Sequence, residues 1–139
     1  MHIRTGDQHL GINNAQVHTR FATQERDWYT MVECAKHLAN NSRSGPRRIF
    51  VATDSTDVRR ALNGKYGDAV TFGTETTKHL DRSKHMSPGD VVDTLVDMFV
   101  LAGAEALVMS HSGYSHSARA IGGVARALEK KECIAMLPT

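Results

Sequence analysis

Long apolar runs are missing from this chain. No stretch reaches the ~18 uninterrupted apolar residues that a membrane-crossing helix needs, and the opening MHIRTGDQ lacks the apolar core of a signal peptide. An excess of one charge is missing too. Seventeen Lys and Arg against 15 Asp and Glu leave +2 with histidines neutral, too little to argue for a nucleic-acid partner. Aromatic residues make up only 6%, which counts against a base-stacking surface. Neither GxGxxG nor GxxxxGK(S/T) occurs, so the usual dinucleotide and P-loop fingerprints are absent. The eight histidines supply no HExxH and no paired ligand set, and read mostly as surface residues. There are only two cysteines, Cys34 and Cys133, far apart in the chain; the expectation is two buried thiols. No internal repeat or low-complexity run interrupts the sequence.

What is present suits one globular domain over residues 1–139, with 40% apolar and 23% charged residues. Strand and helix patterns alternate. Residues 1–4 read as the end of a strand, followed by a polar segment to about 23. A helix fits 24–41, with Trp28, Met31, Val32, Ala35 and Leu38 at helical spacing, and NNSRSGP at 40–46 stops it. Ile49 to Ala52 form a short apolar strand. Asp54 or Ser55 can cap a helix over 56–64, which Asn63-Gly64 closes. AVTFG at 69–73 is a third strand, and 74–88 is a loop. The stretch 89–104 is a helix apolar on most sides, with Asp90, Asp93, Thr94 and Asp97 on one stripe. For Asp90 and Asp93 the expected role is the solvated face of a buried helix. Asp97 lies in a more apolar context and needs a partner. EALVMS at 105–110 is a fourth strand, HSGYSHS a loop, ARAIGGVARALEK a helix from about 116, and CIAMLP a fifth strand.

Such alternation predicts an α/β domain, a Rossmann-like and mostly parallel sheet with helices on both faces. Ligands of such sheets bind beyond the carboxyl ends of the strands. RTGD, TDS and SHSGYS follow the first, second and fourth strands, all where a ligand crevice is expected. Arg4 offers a forked cation suited to phosphate. Ser110, Ser112 and Ser115 offer hydroxyls, Gly113 permits close backbone approach, and the loop feeds a helix N-terminus that favours an anion. The plainer possibility is that Arg4 pairs with Asp7 and the serines cap a helix. Taken together, the clusters favour a phosphate or pyrophosphate cradle. His2, two residues before Arg4 on a strand, points to the same side. Asp54 at a strand end invites comparison with a phospho-accepting receiver, but the acidic pair after the first strand and the lysine after the fifth are lacking. A serine hydrolase using Ser112 and His116 would need a nucleophile elbow that HSGYS does not supply.

Three blocks, HIRTGD at 2–7, IFVATDS at 49–55 and DTLVDMFVLAGAEALVMSHSGYSHSARAIGG at 93–123, resemble in order and spacing the three motifs of the GDP-fucose-dependent fucosyltransferases. That group includes the xyloglucan, core α1,6- and protein O-fucosyltransferases. Thr5 stands where many members carry a second arginine, and Ser55 where many carry an acidic residue. The resemblance implies the C-terminal, donor-binding half of a two-domain GT-B glycosyltransferase, with the first strand truncated and the acceptor-binding half absent. It implies that Arg4 contacts the β-phosphate of GDP-fucose and stabilises charge as GDP leaves. His2 would lie near the nucleoside and Asp54 would shape the crevice there. Asp97 would take the guanine N1–H and N2–H, and Ser112, Gly113, Tyr114 and Ser115 would wrap the pyrophosphate. It implies no metal or other cofactor, a glycan acceptor, and a Golgi or ER lumen setting for a full family member. The alternative is a stand-alone, non-catalytic nucleotide- or phosphate-binding module, soluble in the cytoplasm.

Overall fold

The computed structural model describes residues 1–5, 23–41, 48–73 and 87–137. Five strands make one parallel sheet: β1 (His2–Ile3), β2 (Ile49–Thr53), β3 (Val70–Phe72), β4 (Ala106–Met109) and β5 (Arg126–Glu129). Their order is β3-β2-β1-β4-β5. The chain builds outward from β1 through β2 to β3, then returns past both to place β4 on the other side of β1. The strand order therefore reverses between β1 and β4, at the place where open α/β sheets leave a crevice. This is the expected Rossmann-like α/β architecture. No helix among the described residues is long and apolar enough to cross a membrane.

Two apolar clusters cover the two faces. On one side α1 (Glu25–Asn40), α2 (Thr56–Tyr66) and α5 (Lys130–Met136) bring Trp28, Met31, Val32, Leu38, Val58, Leu62 and Cys133 onto Ile3, Val51 and Val108. On the other, α3 (Pro88–Ala102) and α4 (Gly113–Gly122) bring Leu101 and Ala118 onto Ala52, Leu107 and Met109. α3 and α4 pack closely because residue 122 is glycine: a Cβ there would run into the Ala102 carbonyl. Ser55, the second of the two predicted caps, accepts from Val58 N at 3.4 Å.

Several expectations need correcting. α2 does not close at Asn63-Gly64; it continues to Tyr66 and ends at Gly67, whose φ of 49° suits glycine. α4 starts at Gly113, three residues early, because Ser112 caps it, and Gly123 at φ 61° stops it. The following RALE is strand, since its pairing with β4 from Ala106↔Arg126 to Met109↔Glu129 overrides its helical preference. The predicted fifth strand CIAMLP lies mostly in α5, where Cys133 and Met136 face the core together. The cysteines are buried as expected, but they are not thiols. Cys34 of α1 and Cys133 of α5 form a disulfide with Cα atoms 5.6 Å apart. The α3 stripe is inverted: Asp90 and Asp97 are buried and Asp93 half-buried, while Val92, Val96 and Phe99 are 58%, 48% and 58% exposed. The second half of RTGD, most of the 74–88 loop and the possible partner Asp7 lie outside the described residues.

Candidate functional site

The carboxyl edge of the sheet collects polar groups on a rigid frame. Arg4 leaves β1 with its backbone held on both sides. Its N–H donates to Ser110 Oγ at 2.9 Å, and its carbonyl accepts from Thr23 N at 3.0 Å and Thr23 Oγ1 at 2.7 Å. Thr23 is itself bound by Trp28 Nε1 at 3.2 Å. The half-buried Arg4 side chain therefore projects from a fixed point of the chain. Next door, Thr5 gives its N–H and its hydroxyl to Asp54 Oδ1 at 2.9 and 3.0 Å. Asp54 thus ties the turn after β1 to the end of β2, and one of its carboxylate oxygens is committed to that frame.

Across the switch point, β4 ends at Ser110 and the chain turns through Ser112 into α4. Ser112 Oγ accepts from Tyr114 N at 3.2 Å. The Ser115 hydroxyl, fully buried, donates to the carbonyls of Ser110 at 2.9 Å and Ser112 at 3.2 Å. Both hydroxyls serve the turn: Ser112 caps α4, as the plainer possibility has it, and Ser115 ties the turn to its own carbonyls. What the turn leaves for an anion is the backbone at the α4 N-terminus, where Gly113 carries no side chain and nothing would meet a Cβ within 4 Å.

The crevice wall comes from His2, Tyr114 and α3. His2 is buried, with Nδ1 3.4 Å from Ser110 Oγ and its ring centroid 5.0 Å from that of Tyr114. Tyr114 donates to the Thr94 carbonyl at 2.8 Å, pinning α4 to α3. Burial, and then the negative charge of Asp97, push the Tyr114 hydroxyl well above its ordinary range, so it stays a donor. The Asp97 carboxylate lies against Gly73, just beyond β3, in the space a side chain at 73 would need. Asp90 accepts from Ser87 N at 2.8 Å while Ser87 Oγ accepts from Asp90 N at 3.2 Å, a reciprocal cap that fixes the start of α3.

All eight residues singled out from sequence (His2, Arg4, Asp54, Asp97, Ser112, Gly113, Tyr114 and Ser115) belong to segments that meet at this edge or its α3 wall. Arg4, His2 and the Ser110–Ser115 turn are joined directly. Asp54 stands on the β2 side of β1, away from the α4 turn. No protein-family model, no curated protein and no solved structure matches this chain.

The amino-terminal end of the sheet holds a different feature, a cavity of about 370 Å³ lined by Met1, Leu38, Phe50, Val100, Leu101 and Arg126 among others. Its lining is largely aliphatic and includes none of the eight residues. The carboxyl edge remains the better site, because directed donors and the strand-order reversal coincide there. Sequence spacing also missed one grouping beside the crevice: His111, His116 and Glu129 converge beyond β4 and β5. Glu129 is brought in only by β5 pairing, which local sequence pattern did not reveal. Ser112 and His116, the pair a hydrolase would use, have other partners: His116 Nε2 faces Glu129 Oε1 at 3.6 Å and Ser112 Oγ accepts from Tyr114 N.

Proposed function

We propose that this chain is the GDP-fucose-binding domain of a fucosyltransferase-like glycosyltransferase. One observation carries the reading: Arg4 and the Ser110–Ser115 turn, from two of the three family-like blocks, are hydrogen-bonded neighbours at the reversal of strand order. A diphosphate in that crevice would meet the Arg4 guanidinium on one side and the α4 N-terminus on the other. The second block, 49–55, closes the β2 side through Asp54, which accepts from Thr5. Asp97 would read the base, its carboxylate accepting from a guanine edge, while Tyr114 in the first turn of α4 stays on the pyrophosphate side.

In the proposed reaction a glycan hydroxyl gives its proton to a general base outside this domain and attacks the anomeric carbon of fucose, while the bond to GDP breaks and GDP leaves from the opposite face, inverting the centre. Arg4 contributes by stabilising the negative charge that grows on the β-phosphate. The His2 ring, held between Ser110 and Tyr114, would border the nucleoside. In this reading donor binding draws on the Arg4 cation and the α4 backbone donors, without a metal.

Replacing Arg4 by Ala tests this assignment. GDP affinity should fall by about tenfold or more, the scale of one charge-assisted contact, while GMP affinity changes little. Equal losses for both nucleotides would remove Arg4 from the β-phosphate. Replacing Asp97 by Asn should erode the preference for GDP over ADP, and an unaltered preference would take Asp97 out of base recognition.

A further inference from the structure

We infer that His111, His116 and Glu129 form a binding site for one first-row transition-metal ion, zinc being the natural occupant. This does not rest on the nucleotide reading. His111 directly follows Ser110 at the end of β4, and His116 lies in the first turn of α4. The Ser112-capped turn between them folds the two imidazoles toward each other, with centroids 5.4 Å apart and planes at 77°. Glu129 ends β5, level with Met109 of β4 by direct register. A single carboxylate oxygen, Glu129 Oε1, faces both rings, 3.5 Å from His111 Nδ1 and 3.6 Å from His116 Nε2.

Those separations can be compared with a coordination sphere. A tetrahedral ion with bonds of about 2.0–2.2 Å holds its ligand atoms roughly 3.3–3.6 Å apart. Two of the three ligand edges already have that length, and all three ligand atoms lie within 4.8 Å of one another. The remaining closure needs only rotation of side chains that are 56% and 43% exposed. The anchors are firm: Ser112 caps α4, and the Glu129 N–H is held by Glu132 Oε2 at 2.6 Å. Two imidazoles and one carboxylate suit zinc, cobalt, nickel or copper rather than calcium or magnesium, which prefer an all-oxygen shell. Three protein ligands leave at least one position open, facing solvent beside the α4 N-terminus.

The test is titration of the intact chain with Co(II) and with Zn(II), without nucleotide. The expected result is one ion per chain, with Co(II) giving the visible band of tetrahedral coordination and Zn(II) abolishing it. His116→Gln and Glu129→Gln should each weaken binding by about tenfold or more, whereas His37→Gln on α1, a surface histidine elsewhere, should leave it unchanged. Circular dichroism of the metal-free variants checks that they fold as the parent does, and His111→Gln provides a third readout. A simple histidine–glutamate ion pair predicts no cobalt band. Absence of that band, or binding indifferent to the Glu129 and His116 substitutions, would overturn the inference.

Discussion

Ser115 shows how single residues carry both stability and site geometry. Its buried hydroxyl closes the turn between β4 and α4 through two carbonyls. Ser115→Ala should cost about 1–2 kcal/mol, since it leaves buried carbonyl groups short of a donor. The check is a denaturant midpoint with an unchanged slope. Gly73 makes the complementary case. Any Cβ there collides with the Asp97 carboxylate, so Gly73→Ala should destabilise by about 1–3 kcal/mol and displace that carboxylate. A neutral substitution, with thermal midpoint and nucleotide preference intact, would contradict the packing described. At this scale the sequence was informative about placement: strand-end logic located Arg4, His2 and the serine turn. It was less informative about use, because whether a serine hydroxyl faces a ligand or caps its own helix depends on turn geometry that composition does not encode.

Elements were legible where one local pattern decided them, as in α1 and β2, and illegible where a distant partner decided. RALE favours helix on its own and becomes strand only because β4 offers an open edge. The α3 stripe has the right period but does not say which side faces the core; Asp90 is buried in the local cap it shares with Ser87, and Asp97 is buried where its carboxylate lies against Gly73. The link between α1 and α5 is hidden for the same reason: CIAMLP has a strand-like composition, and it is packing of Cys133 and Met136 on the core that makes it helix. That link has two parts with separate tests. Loss of the Cys34–Cys133 disulfide, which spans 99 residues, should cost about 2–4 kcal/mol. A Cys34→Ala/Cys133→Ala chain should melt lower, while the parent should show no free thiol when denatured without reductant. Beside it, Lys130 Nζ reaches Asp27 Oδ2 at 2.9 Å. Burial raises the Asp27 carboxyl, but the Gln24 N–H and the Lys130 ammonium outweigh it and hold the group below its ordinary value. A depressed carboxylate stabilises above its unfolded pKa near ~3.9 and loses that contribution as pH falls through the lower folded value. Melting temperature should therefore drop below about pH 4. Lys130→Met should flatten that drop and cost about 0.5–1 kcal/mol at neutral pH, the range for a partly exposed pair.

At the scale of the molecule, the parallel sheet and its reversal between β1 and β4 turn three separated sequence blocks into one edge. The α/β class was readable from alternation alone. The strand order was not, because it depends on which edge each crossover takes. Calorimetric titration of this chain with GDP, against ADP and UDP and with no added metal, addresses the central claim most directly. Saturable one-to-one binding of GDP is expected, with markedly weaker binding of the other two. Equal affinity for all three, or no heat with any of them, would contradict a guanine-reading diphosphate site.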